Sequence, residues 1–265
     1  MPATRTAVAR RLDDLVLISW DGRETPLRLL RRDQPATFQL LLFDYSGRAQ
    51  RPDQLPAGCH WLSRATLCKG EIFSALALWL KHQQEASGCC YRYIGLIDDD
   101  VAISLGQINQ ALVLAAELGS ICFSPTLAVD LSGFVPHMVS RSGGVWRPVV
   151  WVDSKMSFVR SDLFFASAPF YPLDYSSYGV ARFIHPYWSR VLNLAGGFHV
   201  FDAIVVTDCR PHRSGSMVFP NGLTGLQEAR RLHRVCLRHV QMKRPDLLSD
   251  AGIRELLVLP PIPSR

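Results

Sequence analysis

No apolar run in these 265 residues approaches the ~20 needed to cross a bilayer, so no membrane-spanning helix is expected. The first fourteen residues carry Arg5, Arg10 and Arg11 without an apolar core, so no targeting segment is expected either. The seven cysteines include no C-x-x-C pair of the kind that holds zinc. Their odd number, with Cys89 and Cys90 adjacent, offers no disulfide framework; they read as reduced, small hydrophobes of a cytosolic protein. Zinc-finger spacing and aromatic RNA-binding strand motifs are missing, so nucleic acid is not an expected partner. There is no internal repeat.

What is present is a globular composition. Hydrophobic residues make up 48% and charged residues 20%, enough for a sizeable core. The net charge of +6 favours anionic partners such as nucleotides, phosphates or an acidic membrane surface. Short apolar runs closed by turn residues, 15–20 (LVLISW), 38–44 (FQLLLFD) and 91–97, read as parallel strands buried on both faces. Helices are expected at 69–84 and after Ser104, which forms a capping-box pattern with Gln107; Gly119 is placed as its C′ residue. Strands at 120–124, 149–159 and 201–207, a short helix at 160–167 and a basic helix at 224–242 complete the pattern. The alternation predicts an α/β fold with a mainly parallel sheet flanked by helices. A weak break near Pro220 suggests a main domain, 1–220, with a C-terminal helical extension, 221–265, packed on it.

The most informative feature is Asp98-Asp99-Asp100, which follows the apolar run Tyr93-Ile94-Gly95-Leu96-Ile97. A buried strand thus delivers carboxylates to its C-terminal end, where open α/β sheets bind ligands. Alternation along a strand sends Asp98 and Asp100 to one side and Asp99 to the other. Three carboxylates this close raise one another's pKa unless a cation neutralises them. Hard oxygens suit Mg²⁺ or Mn²⁺, ions often shared with phosphate.

A strand ending in Asp-x-Asp after two earlier β units resembles the GT-A glycosyltransferase fold, a Rossmann-like architecture. More narrowly, the chain resembles a poorly characterised GT-A-like family of plants and bacteria, first catalogued as a domain of unknown function. The likeness runs over about 15–213: Leu17-Ile18-Ser19-Trp20-Asp21-Gly22, the acidic strand, Ser124-Pro125-Thr126-Leu127, 151–161 and 205–213. It implies transfer of a sugar from a nucleotide-diphosphate sugar, a UDP-sugar favoured, with Mn²⁺ or Mg²⁺ on the diphosphate. Carried over, Asp100 and Asp98 become metal ligands, Asp98 also reaching the donor, and His212 completes the site. Trp20, Asp21 and Asp44 would meet the nucleoside, Arg48 and Lys69 phosphate or base, and Asp99 would hold the turn beside the donor.

The family's catalytic acid would align near 178–181, where Ala181 stands instead. Asp174 and Asp153 are the substitute bases. The aromatics Tyr171, Tyr175, Tyr178, Tyr187, Trp146, Trp151 and Trp188 suggest an acceptor cleft for sugar rings. A glycan or lipid-linked acceptor is expected, in bacterial surface polysaccharide synthesis by family analogy. The basic 224–242 helix is compatible with peripheral contact to an anionic membrane, at the inner face of a cytoplasmic protein. Two other readings compete. One is a phosphotransferase on Asp98-x-Asp100, disfavoured because Ala102 stands where that motif wants Thr or Val. The other is a non-catalytic sugar-nucleotide binder on a degenerate transferase fold.

Overall fold

The computed structural model describes residues 13–23, 25–53, 55–133, 135–210 and 217–257. The sheet centres on β1 (Asp13–Trp20), which pairs in parallel with β3 (Gln39–Asp44) on one side and β5 (Tyr91–Ile97) on the other. These are the contiguous apolar runs of the sequence, and each is buried on both faces. β4 (His60–Ser63) extends the sheet beyond β3 in parallel. On the far side of β5 lie β9 (Met156–Arg160), antiparallel, then β7 (Cys122–Leu127) and β10 (Phe198–Asp208), which pair in parallel. Beyond β10 come β6 (Val101–Ser104), antiparallel, and β2 (Leu30–Arg31); β8 (Arg147–Pro148) is a short antiparallel addition to β10. The result is the expected mixed, mainly parallel α/β sheet, with edges of four and two residues.

Helix α1 (Lys69–Ser87) buries Ile72, Phe73, Leu76 and Leu80 against the sheet. Helix α2 (Leu105–Leu118) starts with both halves of the capping box, Ser104 Oγ accepting from Gln107 N and Gln107 Oε1 from Ser104 N. It ends at Gly119 in the left-handed conformation (φ 61°). Helices α3 (Ser161–Ser167) and α4 (His185–Val191) bracket a 3₁₀ turn, Ala168–Leu173, and a π-helical run, Val180–Ile184.

Three expectations shift. The strand expected at 149–159 begins only at Met156, because the Asp153 carboxylate accepts from Lys155 N at 2.9 Å and folds the chain into a turn. The strand expected at 120–124 runs on through Pro125, which sits where the β7–β10 register shifts between Phe201 and Val205, so its missing N–H is tolerated. The spacing of Leu226, Ala229, Leu232, Val235, Cys236 and Val240 predicts the apolar face of the basic helix; α5 (Gly225–Lys243) buries Ala229, Leu232, Cys236 and Val240 of these, but Val235 is exposed and Glu228 is buried. The apolar face of α5 joins the same core as the strands. Arg230, Arg231, Arg234 and Arg238 lie on its exposed side. No helix among the described residues is long and apolar enough to cross a membrane.

Candidate functional site

The C-terminal ends of β1, β3 and β5 open on one side of the sheet, and the turn after β5 fixes the aspartates there. Asp98 N donates to Lys155 O (3.0 Å), Val101 N to Asp98 O (3.2 Å) and Asp99 N to Ser19 Oγ (3.1 Å). The three side chains then fan out to separate cations. Asp98 accepts from Lys69 Nζ at 2.5 Å, Asp99 lies 3.8 Å from Arg210, and Asp100 lies 3.8 Å from Lys155 Nζ. Asp208, at the end of β10, takes the same Lys155 ammonium at 2.5 Å, and Cys209 N donates to Asp100 O at 2.8 Å. Lys69 also donates to Ser154 O at 3.2 Å.

Burial dominates the electrostatics of the triplet. It pushes the Asp98 carboxyl up to about 7, Asp100 adding to the rise and Lys69 and Lys155 opposing it. Burial also raises Asp99, against the pull of the Tyr45 hydroxyl, which donates to it at 3.0 Å, and of Arg210. Burial and the Asp99 charge together hold the Tyr45 phenol protonated.

Two depressions meet at Tyr45. One, of about 440 Å³, is lined by Lys69, Asp98, Asp153, Lys155, Tyr175, Ser176, Tyr178, Asp208 and Phe219. The other, a shallower hollow of about 690 Å³, is lined by Asp21, Arg23, Ser46, Arg48 and Thr66. Among the expected residues, Lys69, Asp98 and Asp153 therefore share the cavity, and Asp21 and Arg48 share the hollow. Trp20 is buried and packs on Trp61, with ring centroids 5.9 Å apart. Tyr175 and Tyr178 line the cavity, while Tyr171 and Tyr187 belong to the core. The expectation for His212 lies outside the described residues.

Two expected residues face elsewhere. Asp44 is fully buried at the end of β3 and accepts from Ser46 N (2.9 Å), Ser46 Oγ (2.6 Å), Ala49 N (3.0 Å) and Ser63 Oγ (2.7 Å). Both oxygens are engaged in shaping the loop beneath the hollow, not in meeting a nucleoside. Burial pushes its pKa up, but these donors outweigh burial and leave it below the ordinary carboxylate value. Its stabilisation is therefore present above pH 3.8 and disappears as the pH falls through the lowered folded value. Asp44→Asn is expected to cost about 2 kcal/mol at pH 7 and progressively less as the pH falls below 3.8, as urea denaturation across that range would show.

Asp174 is likewise fully buried, accepting from Val180 N (2.6 Å) and Ser176 Oγ (2.9 Å), and does not line the cavity. It holds the start of the π-helical run; of the two candidate bases, Asp153 is the one that lines the cavity.

Sequence reasoning passed over Lys155, whose partner Asp208 is 53 residues away. The available signal was a lysine standing immediately before a buried strand, beside Asp153 and Ser154. It also passed over Glu228, fully buried in α5, which accepts from Tyr175 N, Ser176 N (3.0 Å each) and Asn221 Nδ2 (2.6 Å) and so fixes the cavity wall.

The metal expectation meets this geometry directly. Among the described residues no group of three or more His, Cys, Asp or Glu side chains is disposed to hold a metal ion. The carboxylates of Asp98, Asp100 and Asp208 face lysine ammonium groups, so as arranged they do not fit a resident Mn²⁺ or Mg²⁺.

No family model matches the sequence, and no match was found among curated proteins. Solved structures do match in fold. GalNAc-T7 with UDP, GalNAc and Mn²⁺ aligns with a TM-score of 0.55 and 11% identity over 93% of this chain and 54% of that one. S. aureus TarS aligns with a TM-score of 0.51 and 12% identity over 92% of this chain and 46% of that one. The chain spans about half the length of both. With its strand order, its flanking helices and these structural neighbours, the chain has the GT-A glycosyltransferase fold.

Proposed function

We propose that this protein is a glycosyltransferase that takes a sugar from a nucleotide-diphosphate sugar, a UDP-sugar favoured, and passes it to a glycan or lipid-linked acceptor. The observation that carries this reading is the pair of depressions joined at Tyr45 over the carboxyl ends of parallel strands, with two lysines and three aspartates at the junction. The hollow with Asp21 and Arg48 takes the nucleoside. Lys69 and Lys155 face the diphosphate, and Asp98 contacts the donor sugar. Tyr175 and Tyr178 offer ring faces to the acceptor.

In the reaction, an acceptor hydroxyl attacks the anomeric carbon while the bond from that carbon to the diphosphate oxygen breaks. The proton leaves the hydroxyl for the Asp153 carboxylate, and the nucleoside diphosphate leaves with the bonding electrons. No step is assigned to Mn²⁺ or Mg²⁺. The exposed arginines of α5 support a membrane-held acceptor in this reading, because basic side chains are attracted to an anionic lipid surface.

The test is transfer or hydrolysis of radiolabelled UDP-sugars. Asp153→Asn is expected to lower kcat about 100-fold or more with the donor KM nearly unchanged. Unaltered turnover in that variant would remove Asp153 as the base. UDP binding without transfer or hydrolysis of any donor would instead favour the non-catalytic reading, which the withdrawal of Asp174 from the cavity supports.

A further inference from the structure

In this site a lysine stands where the acidic residues would otherwise gather a metal. The Asp100 and Asp208 carboxylates come from two different strand ends, β5 and β10, and the Lys155 ammonium lies between them at 3.8 and 2.5 Å. Its side chain is 9% exposed, yet it lines the cavity. Nothing about the position is loose. The Asp153 turn fixes Lys155 N, and Lys155 O accepts from Asp98 N, so the residue is stitched into the aspartate turn it neutralises. Lys69 does the same for Asp98 from the first turn of α1. An ammonium has three donors. Lys69 uses two, on Asp98 and Ser154 O, and Lys155 faces two carboxylates, so each has one left for a further anion.

We infer that Lys155, assisted by Lys69, is a built-in cation in the place of a divalent ion, and that the site holds an anionic diphosphate without Mn²⁺ or Mg²⁺. A covalently tethered charge has two consequences. The carboxylates are neutralised at every metal concentration, and a divalent ion entering the cluster must first displace a buried ion pair, which leaves the Lys155 ammonium buried without its counter-charge. The diphosphate part of this inference rests on the proposed glycosyl transfer; the metal part does not.

The experiment has two arms on the full chain. In the first, Mn²⁺ alone is titrated into protein and followed by electron paramagnetic resonance. Wild type is expected to leave Mn²⁺ free. Lys155→Met, which keeps the side-chain stem but removes the charge, is expected to bind it and to gain melting temperature in its presence. In the second arm, UDP is titrated calorimetrically in EDTA and in MnCl₂. Wild-type affinity is expected to agree within about twofold between the buffers, while Lys155→Met in EDTA is weaker by about tenfold or more. Mn²⁺ bound by wild type, Lys155→Met indifferent to Mn²⁺, or wild-type UDP affinity rising about tenfold with Mn²⁺ would each overturn the inference. Absence of UDP binding in both buffers sinks the transferase reading instead, and the Mn²⁺ arm then decides the role of Lys155 by itself. The wild-type measurements decide it even if the variant fails to fold.

Discussion

Glu228→Ala is expected to destabilise the protein by about 4 kcal/mol at pH 5, because three donors lose their acceptor inside the fold. The fully buried carboxylate gathers Tyr175 N, Ser176 N and Asn221 Nδ2, and water has little access to replace it. The same deletion frees the wall that carries Tyr175, Ser176 and Tyr178, so affinity for UDP-sugar falls with stability. The pH dependence follows from Asp174 nearby. Burial, and then the charge of Glu228, raise the Asp174 carboxyl to about 7 against an ordinary value of 3.8. The folded state therefore holds that proton more tightly than the unfolded chain, and stability falls as pH rises from 3.8 towards about 7. Removing Glu228 relieves part of the repulsion on ionised Asp174. The penalty of the substitution is thus expected to shrink at pH 8, and Glu228→Gln, which keeps one acceptor oxygen, to show a flatter stability profile between pH 5 and pH 8. Melting temperatures of the three proteins across that range are the measurement; a penalty that grows with pH would contradict the assignment.

Gly70→Ala is expected to cost about 3 kcal/mol and lower the melting temperature by about 10 °C. A Cβ on Gly70 would lie 2.3 Å from the carbonyl oxygens of both Tyr171 and Asp174. Those are backbone atoms and cannot swing aside like a flexible side chain, so the first turn of α1 must move off the 171–175 segment. Lys69 is the preceding residue, and it would move away from Asp98 and Ser154 O. UDP affinity is therefore expected to fall about tenfold, since displacement of about 1 Å is felt strongly in a positioned site. Gly58→Ala is the control. Its φ of 76° is strained for alanine, but nothing lies within 4 Å of the added Cβ, so about 1 kcal/mol and unchanged UDP binding are expected. Equal effects in the two variants would show that crowding at Gly70 is not the cause.

The sequence made local features legible and left long-range partners hidden. Three parallel strands were readable because their apolar runs are contiguous and end in turn residues. The start of α2 was readable because Ser104 and Gln107 lie within one helical turn and complete a capping box. The aspartate triplet marked the carboxyl end of β5, where the cavity lined by Asp98 lies, for the same reason. The side chains facing each aspartate were not readable. Lys155 meets Asp208 across 53 positions, and Lys69 meets Asp98 across 29. Asp44 and Asp174 show the converse limit. A carboxylate at a strand end looks the same in sequence whether it faces a ligand or closes a turn on neighbouring amides. Strand β4 and the π-helical run escaped notice because four residues and five residues carry too little periodicity.

The sheet ends in strands of four and two residues, β4 and β2. An unpaired edge is a template on which another chain can add a strand, and its hazard grows with its length. Here β1, β3 and β5 are interior, while the outer side of β10 is paired, among the described residues, only at His199 and Val200 by β8 and at Thr207 and Asp208 by β6. The consequence concerns behaviour in concentrated solution: among the described residues, β4 and β2 offer a second chain only short ladders on which to start stacking strand by strand into fibrils, despite an interior rich in valine, leucine and phenylalanine.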